Sequence, residues 1–261
     1  MKKLTVKLAR FFAPALAAFA VAFPAARAEE LTVFAAASLS NALKELAPAY
    51  AKASGGDTLR LNLASSGALT RQIREGAPAD VILSADELRV DQLENAGLLL
   101  AGTRRTLLGN TLVIVVAKDG APPVAQAADL LAPNVRRVGM GEPATVPAGT
   151  YAKEYLTKIK LWEGVSAKAV YLDNVRSVLA AVESGNADAG FVYKTDALIS
   201  KKVKIAREIP LAEGPSITYP VAVVRRTKKP DAAKRFAEWL ATPPAQTVFA
   251  KYGFLPAPAK K

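Results

Sequence analysis

Short apolar runs alternate with longer amphipathic stretches along almost the whole chain, and no other feature of the sequence constrains the fold as tightly. Residues 31–35, 58–63, 79–83, 106–117, 137–139, 169–172, 189–192 and 219–224 carry apolar or alternating patterns of strand length. Between and after them, 39–53, 68–74, 86–95, 150–159, 175–183, 231–240 and 245–251 read as helices. Gly55, Gly97 and Gly185 stand where three of those helices should stop. Pro48 falls inside the first and is expected to kink or interrupt it. The 120–124 segment reads as a loop, and the tail 256–261 as disordered. A chain that alternates in this way folds as α/β, with mainly parallel sheets flanked by helices. Its 261 residues suffice for two modest domains or one large one.

In open α/β folds, ligands gather where strands hand over to helices. Four such junctions here are built to leave backbone accessible. In VFAAASLSNAL (33–43), three alanines follow the apolar strand and Ser38 opens the helical pattern. The ASSG turn (64–67) places Ser66 at a second junction, and VPAG (146–149) places Ala148 just behind a proline whose missing N–H costs nothing in a first helical turn. Asp173 and Asn174 are cap candidates ahead of Val175, and Tyr193 follows the strand 189–192 as a fifth point. A helix N-terminus presents unpaired N–H groups and the positive end of the helix dipole, which suits an anion. Taken singly, each residue has a plainer reading. Ser38 and Ser66 can be N-caps, Tyr193 a packed core residue, and Asp173 a carboxylate that folds onto the amides and competes with an anion. Glu142, Asp80 and Asp86 read as structural, and Trp162 and Trp239 as packing residues on helices.

The chain has neither cysteine nor histidine. Disulfides, thiolate metal sites, cysteine nucleophiles and a Ser-His-Asp triad are therefore excluded. The formal charge is +12, but residues 1–28 resemble a secretory leader. Lys2, Lys3, Lys7 and Arg10 precede an apolar stretch, and Ala26-Arg27-Ala28 forms a small-x-small cleavage site. Removing those four and Arg27 leaves 12 − 5 = +7 on the remainder. That charge is scattered and not interleaved with aromatics, which argues against nucleic acid. An exported chain without cysteine suits the bacterial periplasm.

Several short runs then occur in one order: VFAAASL, ASSG, GAPADVILSAD (76–86), LLGNTLVIV (107–115), VPAGTYAKEYL (146–156), DNVRSVLAAVESGNAD (173–188), FVYKTDA (191–197) and YPVAVV (219–224). Together they resemble the periplasmic molybdate-binding proteins of ABC transporters, a type II periplasmic-binding-protein family, over nearly all of 31–254. The resemblance implies a two-lobed fold, each lobe a mainly parallel sheet flanked by helices. Residues 29–108 with 222–261 would form one lobe and 109–221 the other, with crossings near 108–112 and 219–221. It implies a monomeric periplasmic receptor without a cofactor or a directly ligated metal cation, which binds molybdate or tungstate and delivers it to a membrane permease. By motif, the oxyanion would be held by Ser38, Ser66, Ala148, Val175 and Tyr193.

Elementary chemistry points the same way with less specificity. A fully ionised tetrahedral dianion offers only acceptors, so its site needs only donors. At about 1.5–3 kcal/mol for each charge-assisted bond, five to seven donors reach micromolar to nanomolar binding without a buried arginine, after ordering costs. Phosphate, partly protonated near neutrality, needs an acceptor as well and is disfavoured. Sulfate and thiosulfate share the donor-only chemistry and stay open. A distant alternative makes Ser38 a nucleophile with Lys194 or Lys44 as its base.

Overall fold

The structure, a computed structural model, describes residues 28–258, so the expected leader lies outside it except for Ala28, as do the last three residues. The chain opens with β1 (Glu30–Ala36), a 3-10 turn (Ala37–Leu39), α1 (Ser40–Ser54), β2 (Thr58–Ala64), α2 (Ser66–Arg74), β3 (Val81–Leu83), α3 (Glu87–Asn95) and β4 (Arg105–Asn110). A middle part follows, comprising β5 (Leu112–Ala117), a 3-10 turn (Ala127–Leu131), β6 (Val138–Gly141), α4 (Pro147–Lys158), α5 (Trp162–Ser166), β7 (Ala169–Leu172), α6 (Val175–Glu183), β8 (Ala189–Tyr193), α7 (Lys194–Leu198) and β9 (Val203–Glu208). It ends with β10 (Ile217–Val223), α8 (Pro230–Trp239), α9 (Pro243–Lys251) and β11 (Leu255–Pro256).

Two sheets organise these elements. One runs β11-β4-β10-β3-β1-β2 and the other β7-β6-β8-β5-β9. The α/β class holds, but both sheets are mixed and not mainly parallel. β1 pairs parallel with β2 and β3, and β6 with β7 and β8. β10 instead runs antiparallel to β3 and β4, and β5 antiparallel to β8 and β9. The antiparallel strands are the ones that carry the chain between the sheets. The longest apolar run, expected as one strand over 106–117, is divided at Thr111, so that β4 enters the first sheet and β5 the second. The Asn110 side chain accepts the Thr111 N–H at 2.8 Å and takes it out of either ladder.

Other departures have local causes. α1 continues through Pro48, which lies on the exposed face, where the carbonyl it leaves unpaired is open to water. The tail is not wholly irregular, because Leu255 and Pro256 pair with Gly109 and Leu108 of β4. β9 escaped notice because its half-buried, partly charged sequence VKIARE lacks clean alternation. The packing role of the tryptophans holds: Trp162 and Trp239 lie against the core, the latter with its ring 5.2 Å from that of Tyr50.

Candidate functional site

Strand register places the site. Ala36 of β1 lies opposite Ala64 of β2, and Ala35 opposite Leu83 of β3, so three strands end at one edge of the first sheet. In the second sheet Gly141 of β6 lies opposite Leu172 of β7, while Tyr193 ends β8. The turns leaving these ends face each other across a cavity of about 10 Å³. Ser38, Ser66, Ala148, Val175 and Tyr193 all line it, together with Ala85 and Asn174. The space suits a water or a compact inorganic ion and falls far below the roughly 300–1,000 Å³ of an organic-ligand pocket. Among the described residues no charged side chain lines it.

The serines are not helix caps. Ser38 lies within the 3-10 turn and Ser66 is the first residue of α2, whose cap Ser65 makes no side-chain cap bond. Ser38 Oγ sits 3.0 Å from Tyr219 Oη, and Ser66 Oγ accepts the Ala85 N–H at 2.9 Å. At α6 the cap is Asn174, whose Oδ1 accepts from the Arg176 and Ser177 N–H groups at 2.9 and 3.0 Å. Asp173 turns aside to the Ser177 hydroxyl at 2.7 Å and does not compete for those amides. The first-turn N–H groups of Ser66, Ala148 and Val175 find no acceptor among the described residues. Tyr193 Oη is buried and likewise has no partner there. Buried polar atoms are rarely left so, and this cavity gathers several around one point.

Close approach between the two halves depends on a missing side chain. The Gly67 N–H donates to Thr145 O at 3.0 Å, and a Cβ on Gly67 would come within 2.3 Å of that oxygen. Arg89 donates to Ala144 O at 2.9 Å while paired with Asp86 at 2.7 Å. From the other side, Arg176 donates to Ser38 O at 3.2 Å and Asn41 Oδ1 at 2.8 Å. The Arg176 Nε–H lies 2.5 Å from Asp196 Oδ1 but is poorly aligned with it, so this contact is an ion pair without a well-formed hydrogen bond.

A family model described as bacterial extracellular solute-binding protein matches residues 31–255. The chain belongs to this solute-binding family. It is 45% identical over 224 residues to YvgL, a lipoprotein of Bacillus subtilis (strain 168), covering 86% of this chain and 85% of the relative. It is 40% identical over 255 residues to the molybdate-binding protein ModA of Escherichia coli (strain K12), covering 95% and 98%. The solved periplasmic molybdate-binding protein of Azotobacter vinelandii superposes with a TM-score of 0.76 at 26% identity, over 86% of this chain and 98% of that one.

Within this solute-binding chain, burial sets the electrostatics of the cavity and of the groups packed behind it. It pushes the Tyr193 and Tyr219 hydroxyls far up, so both keep their protons. It also pushes Asp196 up to about 6, against the opposing pull of Arg176. Asp86 is raised by burial too, with Arg89 opposing. Asp86 and Asp80 keep the structural roles expected of them, Asp86 capping α3 and Asp80 accepting the Thr32 N–H at 2.8 Å. Lys194 is engaged elsewhere, 2.9 Å from Glu208, and Lys44 is exposed. Sequence reasoning missed Asn110, Tyr219 and the two bridging arginines. Asn110 and Thr111 in the middle of the longest apolar run were the available signal, since polar residues there need a reason.

Proposed function

We propose that the cavity binds a fully ionised tetrahedral oxyanion, molybdate first and tungstate with it, and that Ser38, Ser66, Ala148, Val175 and Tyr193 hold it. The observation that carries this reading is the buried Tyr193 hydroxyl, which lacks an acceptor among the described residues where helix N-termini with unpaired N–H groups meet. Hydroxyl and amide donors supply hydrogens only, and helix dipoles disperse the ligand's charge. The molybdate-binding relatives from Escherichia coli and Azotobacter vinelandii support molybdate over sulfate or thiosulfate. In this reading two lobes, 29–108 with 222–261 and 109–221, close on the ion about the β4–β5 and β10 crossings. The protein acts as a monomeric periplasmic receptor, not an enzyme, and passes its ligand to an ABC-transporter permease.

Titration calorimetry of the chain from Glu29 onward with molybdate, tungstate, sulfate, thiosulfate and phosphate tests the proposal. Molybdate and tungstate should bind in the micromolar range or tighter, and phosphate at least about a hundredfold more weakly. Tighter binding of sulfate or thiosulfate would transfer the site to that ion. No heat with any tetrahedral anion would remove the proposal.

A further inference from the structure

The hydrogen bonds behind Ser38 determine which of its atoms faces the cavity. Asn110 ends β4 and is buried between the two sheets. Its Oδ1 accepts the Thr111 N–H at 2.8 Å, which fixes the orientation of the amide and leaves Nδ2 as the donor. Both Nδ2 hydrogens are used: one goes to Tyr219 Oη at 3.2 Å and the other to Thr195 Oγ1 at 3.0 Å. Among the described residues, the remaining hydrogen-bond partner of Tyr219 Oη is Ser38 Oγ at 3.0 Å. A buried phenol that keeps its proton needs an acceptor, and Asn110 offers only hydrogens. The acceptor is therefore Ser38 Oγ. With that lone pair occupied, the Ser38 hydrogen is free to turn into the cavity. Ser66 reaches the same polarity by a shorter route, because its oxygen is occupied by the Ala85 N–H.

We propose that Asn110, acting through Tyr219, is a positioning residue that sets the hydrogen polarity of Ser38 and thereby makes the site reject oxyanions that still carry a proton. The inference rests on the oxyanion reading above. A fully ionised anion presents lone pairs to every donor. Hydrogen phosphate brings an O–H, and a cavity whose hydroxyls are all turned hydrogen-first leaves that proton without an acceptor. Selectivity against phosphate then arises from a residue that never touches the ligand.

Asn110→Asp reverses the relay. The carboxylate takes the Tyr219 hydrogen, Tyr219 Oη accepts from Ser38, and Ser38 turns a lone pair to the cavity. Affinities for molybdate, and for hydrogen phosphate by displacement of molybdate, are measured at about pH 8. Both ions are then mainly doubly negative, so repulsion from the added charge cancels in the ratio. The preference for molybdate should fall by about tenfold or more. Tyr219→Phe cuts the relay without adding charge and frees Ser38 to rotate, so the preference should fall there too. It also decides the matter if Asn110→Asp does not fold. A wild-type protein that fails to bind molybdate would remove the oxyanion reading itself. Normal wild-type binding, with the preference unchanged within about twofold in the folded variants, would overturn the role of Asn110 alone.

Discussion

Tyr193→Phe isolates the polar atom that the cavity leaves alone. The Tyr193 ring packs edge-on against Tyr219 with centroids 5.9 Å apart, and phenylalanine keeps that contact while deleting only the hydroxyl. Under the oxyanion reading the hydroxyl donates a charge-assisted bond to the ligand, so its loss should cost about 1.5–3 kcal/mol, or roughly 10–150-fold in Kd. Stability should respond with the opposite sign. In the ligand-free closed arrangement the hydroxyl is desolvated without a partner, a penalty on the order of 1–3 kcal/mol that phenylalanine does not incur. Calorimetry with molybdate and thermal unfolding with and without the ion read both quantities. Affinity should drop while the ligand-free melting temperature holds or rises. Binding within about twofold of wild type, or a ligand-free melting temperature several degrees lower, would refute the assignment.

Three other perturbations separate roles in and around the cavity. Ser66→Ala should weaken binding and also cost about 1–3 kcal/mol of stability in urea denaturation, since the buried Ala85 N–H loses its acceptor. Gly67→Ala should weaken molybdate binding more than about tenfold by calorimetry, because the added methyl would meet Thr145 O at 2.3 Å where the halves approach. Asp196, raised to about 6 from 3.8, holds its proton in the native state over a range where the unfolded chain has released it, so its contribution stabilises below about pH 4 and is lost as pH rises through about 6. The stability of wild type relative to Asp196→Asn should therefore fall by up to roughly 3 kcal/mol between pH 4 and 7, and a flat difference in denaturant midpoints would contradict this.

The features that were legible in the sequence share one property: their cause is local. Val175 follows a cap residue, Ala148 follows a proline at the start of a helix, and the alanines ahead of Ser38 announce a thin strand end. Each needs only its own neighbours to be interpreted. The parallel pairs β1–β2 and β6–β7 follow from the same local alternation. What escaped depends on separation. The bond between Ser38 and Tyr219 spans 181 residues, and that between Arg176 and Ser38 spans 138. The division of 106–117 at Thr111 is set by which sheet each half joins, while its apolar pattern runs on undisturbed. Pro48 failed as a helix breaker for a related reason, since whether a proline interrupts depends on what the freed carbonyl faces, and here it faces water.

The placement of the arginines bears on how such a site can hold an anion and still release it. Arg89 and Arg176 stand just outside the cavity, yet neither lines it. Each is neutralised by a carboxylate from its own half, Asp86 or Asp196, and spends its remaining hydrogens on backbone or amide oxygens of the other half. Their charge is cancelled where they sit, so they tie the halves together without adding a strong field at the ligand. A buried unpaired guanidinium would bind a dianion tightly whatever its size or protonation state, and the two could part only against a large desolvation cost. Neutral donors with fixed hydrogens bind by geometry, so the affinity falls as soon as the halves separate and the donors no longer converge. Under the oxyanion reading, binding and closure become one equilibrium, in which the ion is held firmly only while Gly67 lies against Thr145 and Arg176 against Ser38.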